Sequence, residues 1–162
     1  MQCRAAPDRN APSTPPEAFR MFFPCESIVL STAAPIEIID ITAIVRTAFQ
    51  NSGVVQGQVT LFSPHTTAFV CLNEKEQMLQ RDMLDFLHRL VPAETDFRHN
   101  RDPVDGRLNA HSHLLGLFMN ASETIPIADG CLLLGGWQSI FFIELDGPRD
   151  ERRLLMQISG EQ

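Results

Sequence analysis

The chain of 162 residues predicts an α+β domain, and three observations carry that expectation. Short segments of apolar–polar alternation recur along it, two stretches switch to helical spacing, and turn residues separate the last strand candidates closely enough for antiparallel pairing. The order read from the residues is β-β-α-β-β-α, a short third helix, then a run of strands. Such an order places two main helices against one large or two small sheets of mostly antiparallel strands.

The elements follow in chain order. "SIVLS" (27–31) is an apolar run of strand type, and "IEIID" (36–40) alternates with period two. Asp40 then caps a helix in which Ile41, Ile44, Val45 and Ala48 recur at helical spacing and Gly53 supplies the stop. "GQVTLFS" (57–63) and "TAFVCLN" (67–73) read as strands on either side of "PHT". Over 76–91, Met78, Met83, Leu84, Leu87, Leu90 and Val91 form a broad helical stripe, ended by Pro92. Residues 93–108 are polar and aperiodic, as in a long functional or disordered loop. Asn109 caps a short helix reaching Met119, and "TIPI", "CLLLGG", "WQSIFFIELD" and "RRLLMQIS" complete the strands.

Composition limits the function classes. Apolar residues make up 44% and charged residues 20%, as in globular domains. A net charge of −7 opposes nucleic acid and anionic membranes, and no apolar run has the length of a membrane span. The four cysteines form no C-x-x-C pair, which fits a reducing, cytoplasmic setting, and Cys71 and Cys131 lie in apolar runs as buried thiols would. Residues 1–22, rich in Pro, Ala and Ser, are expected to be a disordered extension, with a single domain over 23–162.

The chain has five histidines, and their placement raises the question of chemistry. His65 stands at the bend between two strands, beside the hydroxyls of Thr66 and Thr67, where an oxyanion or phosphate could be held; a solvated turn histidine is the alternative. His99 lies in the long loop. His111 and His113 differ by about 200° on a regular helix, so both reach one ion only from an irregular first turn near Asn109. His88 falls on the polar side of its helix and reads as surface. Several histidines without cysteine partners suit zinc foremost, with magnesium or manganese as further divalent choices. The nearby carboxylates are Glu74, ending a strand, Asp146 in "FFIELDGPR", and Glu144, in the apolar strand of that same stretch. A charge in such a strand is paired, ligand-bound or at an edge. Arg149 follows the turn "DGPR" and could pair with a carboxylate or phosphate, and Gln138 follows the single tryptophan, Trp137, in "LGGWQS".

In combination, "GQVTLFSPHTTAFVCLNE", "NAHSHLLGLF", "IPIADGCLLLGGWQSIFFIELDGPR" and "LLMQISG" resemble the YjbQ-like family, whose members carry the label secondary thiamine-phosphate synthase. The resemblance runs from about Ile28 to Gly160. It implies a small β-sandwich with helices, a homotrimer with its site near the subunit boundary, and a histidine-rich pocket. That pocket would use His65, His99 and His113, with His111 less securely matched and Glu74 and Glu144 close by. Two departures stand out: Gly136 where the family usually has threonine, and Phe97 where it usually has tyrosine.

The activity so implied joins a pyrimidine diphosphate to a thiazole phosphate. Glu144, Glu74 and Arg149 would be the catalytic set, with Thr66, Thr67, Asn109 and Gln138 on substrate phosphate. Two alternatives stay open. One is a metal-dependent hydrolase of a phosphorylated metabolite, with Glu144 or Glu74 as base; the other is a trimeric module that binds a metabolite or metal without turnover. All three share a small phosphorylated metabolite as the expected partner.

Overall fold

The computed structural model describes residues 25–162, so the expectation of disorder over residues 1–22 lies outside the described residues. Strands β1 (Cys25–Thr32), β3 (Gln56–Phe62), β5 (Ser122–Ala128), β6 (Cys131–Leu132) and β8 (Arg149–Glu161) build a five-stranded sheet in the order β1-β8-β3-β5-β6. Strands β2 (Glu37–Asp40), β4 (Ala68–Glu74) and β7 (Gln138–Glu144) build a second sheet in the order β2-β7-β4. Every pairing is antiparallel. The expected α+β class and its sandwich are therefore present.

Alternation explains how the sheets meet. Ile28 and Leu30 of β1, Val59 and Leu61 of β3, Ile125 and Ile127 of β5 and Leu154, Met156 and Ile158 of β8 turn to one side of the large sheet. They pack on Ala68 and Val70 of β4 and Ile140 and Phe142 of β7. Helix α1 (Thr42–Ser52) adds Val45 and Phe49 to this core. Its start is tied to β7, because Ile41 N–H donates to the Ile140 carbonyl at 2.9 Å and Ile140 N–H to Thr42 Oγ1 at 2.8 Å. Gly53 ends it at φ 69°, in the left-handed region expected of a glycine stop.

The opposite face of the small sheet carries Phe69 and Ile143, covered by Leu87 of α2 (Gln77–Leu90) and Leu115 of α3 (Ala110–Gly116). The Glu76 carboxylate caps α2 by accepting from Met78 and Leu79 N–H. Helix α3 comes so close to β4 that a Cβ on Gly116 would stand 2.4 Å from Phe69 Cζ. Gly116→Ala is therefore expected to lift α3 and cost about 1–3 kcal/mol. Urea titration checks this, and an unchanged midpoint would mean that the helix sits more loosely than its packing indicates.

The bend at His65 joins the two sheets, since β3 pairs with β5 and β8, whereas β4 pairs with β7. Four expectations need correction. The helix expected to reach Met119 ends at Gly116, and "CLLLGG" contributes only two strand residues. The α2 stripe is partly uncovered, since Met78 and Leu90 are exposed. Cys131 is exposed, because β6 is the short outer strand of its sheet. Cys71 is partly buried, and burial, helped by the charge of Glu123, pushes its thiol up to about 11.

Candidate functional site

The chain leaves β7 in one sheet and enters β8 in the other, and this crossing of residues 145–148 organises the polar centre of the molecule. Glu144 shares its face with Phe142, so it points across the sandwich, and it is fully buried. Arg152 shares its face with Leu154 and Met156 and points back. Its Nε and a terminal amine donate to the two carboxylate oxygens of Glu144, each at 2.6 Å. Thr67 Oγ1 accepts a further Arg152 N–H at 3.1 Å, and the hydroxyl of Thr32 donates to Glu144 at 3.3 Å. Asp146 N–H donates to Glu144 at 2.8 Å. Glu144 is thus fully partnered, as a charge in so apolar a strand must be.

Two residues further on, Asp146 gathers a second set. Arg107 Nε donates to it at 3.1 Å, the terminal amine of Arg149 also donates to its carboxylate, and Asn109 Nδ2 donates at 2.9 Å. Burial pushes the Asp146 carboxyl up, but the Asn109 amide and the Arg149 and Arg107 guanidiniums outweigh it and hold the group below the usual carboxylate range. Two cations around one anion leave net positive charge here.

This charge reaches a histidine through one amide. Ionised Asp146 only accepts, so it takes the Nδ2 side of Asn109 and turns Oδ1 towards His99 Nε2, 3.1 Å away. His99 must then donate from Nε2, which leaves Nδ1 as the ring nitrogen not committed to this bond. Asn109 was expected to cap α3; its side chain makes no capping bond, because Asp146 and His99 take it. His99 sits on a short 3-10 turn (Arg98–Arg101), and its ring meets that of His113, from α3, edge to face with centroids 5.2 Å apart. A cavity of about 480 Å³ opens beside the pair, lined by Phe97, Arg98, His99, Ala110, His113 and Leu114.

The other candidates lie elsewhere. His65 Nε2 accepts the backbone N–H of Arg153 at 3.1 Å, and burial, with the positive charge of Arg152, lowers its pKa. His111 borders Ser112, whose hydroxyl lies 3.2 Å from Nε2, and its pKa too is lowered, chiefly by burial. Thr66 is exposed, whereas Thr67 belongs to the buried ion pair. Glu74 pairs in register with Gln138 and Ala68 with Glu144, so six residues, about 20 Å of strand, separate Glu74 and Gln138 from Glu144. Gln138 Oε1 accepts Gly135 N–H at 2.7 Å, a local turn contact. His88 is exposed, as its helical position predicts. Among the described residues no group of three or more His, Cys, Asp or Glu side chains is arranged to hold one ion. The donors named from sequence do not fit a metal within one chain, and no step through a metal is derived.

Arg107 and Arg152 were absent from the sequence candidates, whereas Asp146 was named only as a carboxylate near the site and given no role. For Arg152 a signal existed, since it falls in phase with Leu154, Met156 and Ile158 on the inward face of "RRLLMQIS". Arg107, in an aperiodic loop 39 residues from Asp146, had none.

These features define a class: a two-sheet α+β domain whose cross-sheet ion pairs support a histidine pocket on its helical side. Residues 26–161 match the family described as UPF0047 protein YjbQ-like. A UPF0047 protein of Methanothermobacter thermautotrophicus is 38% identical over 136 residues, covering 84% of this chain and 92% of the relative. The UPF0047 protein YugU of Bacillus subtilis is 33% identical over 126 residues, covering 76% and 91%. Among solved structures, a YbjQ-like protein of unknown function from Sulfolobus solfataricus superposes with TM-score 0.82 at 36% identity, covering 88% of this chain and all of that one. A hypothetical protein from Aeropyrum pernix gives TM-score 0.79 at 36% identity, covering 85% and 99%. The chain belongs to the YjbQ-like UPF0047 family. These relatives are named only as UPF0047 proteins or as of unknown function, and no thiamine-phosphate synthase activity is indicated for them. The expected joining of a pyrimidine diphosphate to a thiazole phosphate is corrected accordingly.

Proposed function

We propose that the pocket beside His99 and His113 binds a small phosphorylated metabolite, with His99 as its proton-transfer group. The observation that carries this reading is the run of hydrogen bonds Asp146–Asn109–His99, which holds one tautomer of a histidine at a cavity. A surface histidine needs no such support; a ring that must present one nitrogen to a ligand does. Arg98 and the two imidazoles suit the phosphate, and Phe97 and Leu114 suit an apolar body. The exposed apolar residues Leu114, Leu117 and Phe118 on and after α3 support assembly of copies beside the pocket, as a homotrimer, which sedimentation velocity tests.

Isothermal titration with inorganic phosphate and phenyl phosphate tests the pocket. Phenyl phosphate is expected to bind more tightly, and His99→Ala and Arg98→Ala are each expected to weaken it about tenfold, the loss of one charge-assisted hydrogen bond. Equal affinities in parent and both variants would discard the reading.

A further inference from the structure

The pocket at His99 has two walls of different kinds. Ala110, His113 and Leu114 belong to α3, whereas Phe97, Arg98 and His99 belong to the loop between α2 and α3. Helix α3 is anchored by its buried residues Ala110, Ser112 and Leu115. No residue from Pro92 to Leu108 is buried. A segment with so little buried surface opens at low free-energy cost, without the core.

Polar contacts hold this loop in place. At its start Val91 packs with Leu87 and Leu115, and at its end Arg107 donates to the carboxylate and the carbonyl of Asp146. Between these fixed ends, residues 96–101 form a unit of their own. The Arg101 guanidinium donates to both carboxylate oxygens of Asp96, at 3.3 and 2.6 Å, and Asn100 N–H donates to the Phe97 carbonyl at 3.1 Å. Phe97, Arg98 and His99 therefore keep their places relative to one another. Two side-chain bonds fasten the unit to the start of α3. His99 Nε2 donates to Asn109 Oδ1 at 3.1 Å, and Asn100 Oδ1 accepts the Ala110 N–H at 3.1 Å.

We infer that residues 96–101 are a flap that swings from α3 to admit the ligand, and that its closure sets the proton on His99. Opening parts His99 from Asn109, so one tautomer is enforced only in the shut state. A phosphate gripped by Arg98 on one wall and His113 on the other adds a third fastener. Such a ligand binds the shut state better and shifts the population towards it. Asn100 is then a positioning residue: it touches neither imidazole, but it holds the flap that carries one of them. The coupling to ligand rests on the phosphate reading of the pocket; the motion does not.

Amide exchange and ring ¹⁵N shifts in the full chain test this with Asn100→Ala and Asn100→Asp. In the free protein Ala110 N–H should exchange at least about a hundredfold faster than the core amides of β8. Asn100→Ala should speed it about tenfold more, with little change in melting temperature, and should also let Nδ1–H appear on His99 because the two fasteners open together. Asn100→Asp keeps the acceptor and should restore both readings. Phenyl phosphate at about a hundred times its Kd should slow Ala110 about a hundredfold in the parent. Ala110 exchanging only as fast as the core, or an unchanged His99 tautomer in Asn100→Ala, would overturn the flap. So would phenyl phosphate that binds without slowing Ala110. If phenyl phosphate fails to bind, the phosphate reading falls, and the free-protein exchange and ring shifts still decide the flap.

Discussion

Replacing Arg152 with methionine is expected to lower stability by about 3–5 kcal/mol and the melting temperature by roughly 10 °C. The variant keeps an apolar side chain of similar length but leaves Glu144 fully buried with no cation. Loss of one partner from a buried pair removes the attraction and retains the desolvation cost, which is why the effect exceeds that of any surface ion pair here. The double variant Glu144→Leu with Arg152→Met should recover much of the loss, since neither charge then needs solvating. Recovery stops short of complete, because Asp146 N–H and the Thr32 hydroxyl lose their acceptor. Calorimetry of the three variants checks this. A single variant melting within a degree or two of the parent would show that the pair does not brace the sandwich.

Asp146→Ala is expected to produce the second large effect, on stability and on the pocket together. The carboxylate holds Arg107, Arg149 and Asn109, and its loss leaves two guanidiniums adjacent and the Asn109 amide free to turn. A cost of about 2–3 kcal/mol follows from breaking a buried charged network. Phenyl phosphate should bind at least tenfold more weakly, because His99 no longer holds one tautomer. Ring ¹⁵N shifts read this directly: Nε2–H should dominate for His99 in the parent and mix with Nδ1–H in the variant. Retained tautomer and affinity would separate Asp146 from the site.

The pH dependence has a definite sign. The folded state holds the Asp146 carboxyl below its ordinary value of about 3.9. Its stabilisation is therefore complete above that value and is lost as pH falls through the depressed native one. Parent and variant should differ most near neutrality and converge in acid. A difference that grew on acidification would contradict the sign.

Much of the fold was legible because side-chain alternation and helical spacing act within a few residues. The run Ile36 to Asp40, the stop at Gly53 and the strand "QSIFFIE" could each be read locally, as could the surface position of His88. The pairing of β3 and β4 could not. Both flank the bend "PHT", yet each joins a different sheet, and Val59 and Leu61 of one meet Ala68 and Val70 of the other in the core between the sheets. Asn109 shows the same limit at the site. Its type and place fit a helix cap, and only the nearness of Asp146, 37 residues later, turns it into the support of His99.

The sequence by itself determined the α+β class, the positions of most strands and helices, and the presence of histidines in the loop and short helix that come to face each other. Tertiary structure alone decided which charges meet. Glu144 was open to pairing, ligand binding or an edge position until the crossing between sheets set it against Arg152. His65 and His99 were equal candidates until the fold gave one to the backbone of β8 and the other to Asn109. Periodicity records which way a side chain points, but what stands opposite depends on how distant segments share the core, and no local preference encodes that.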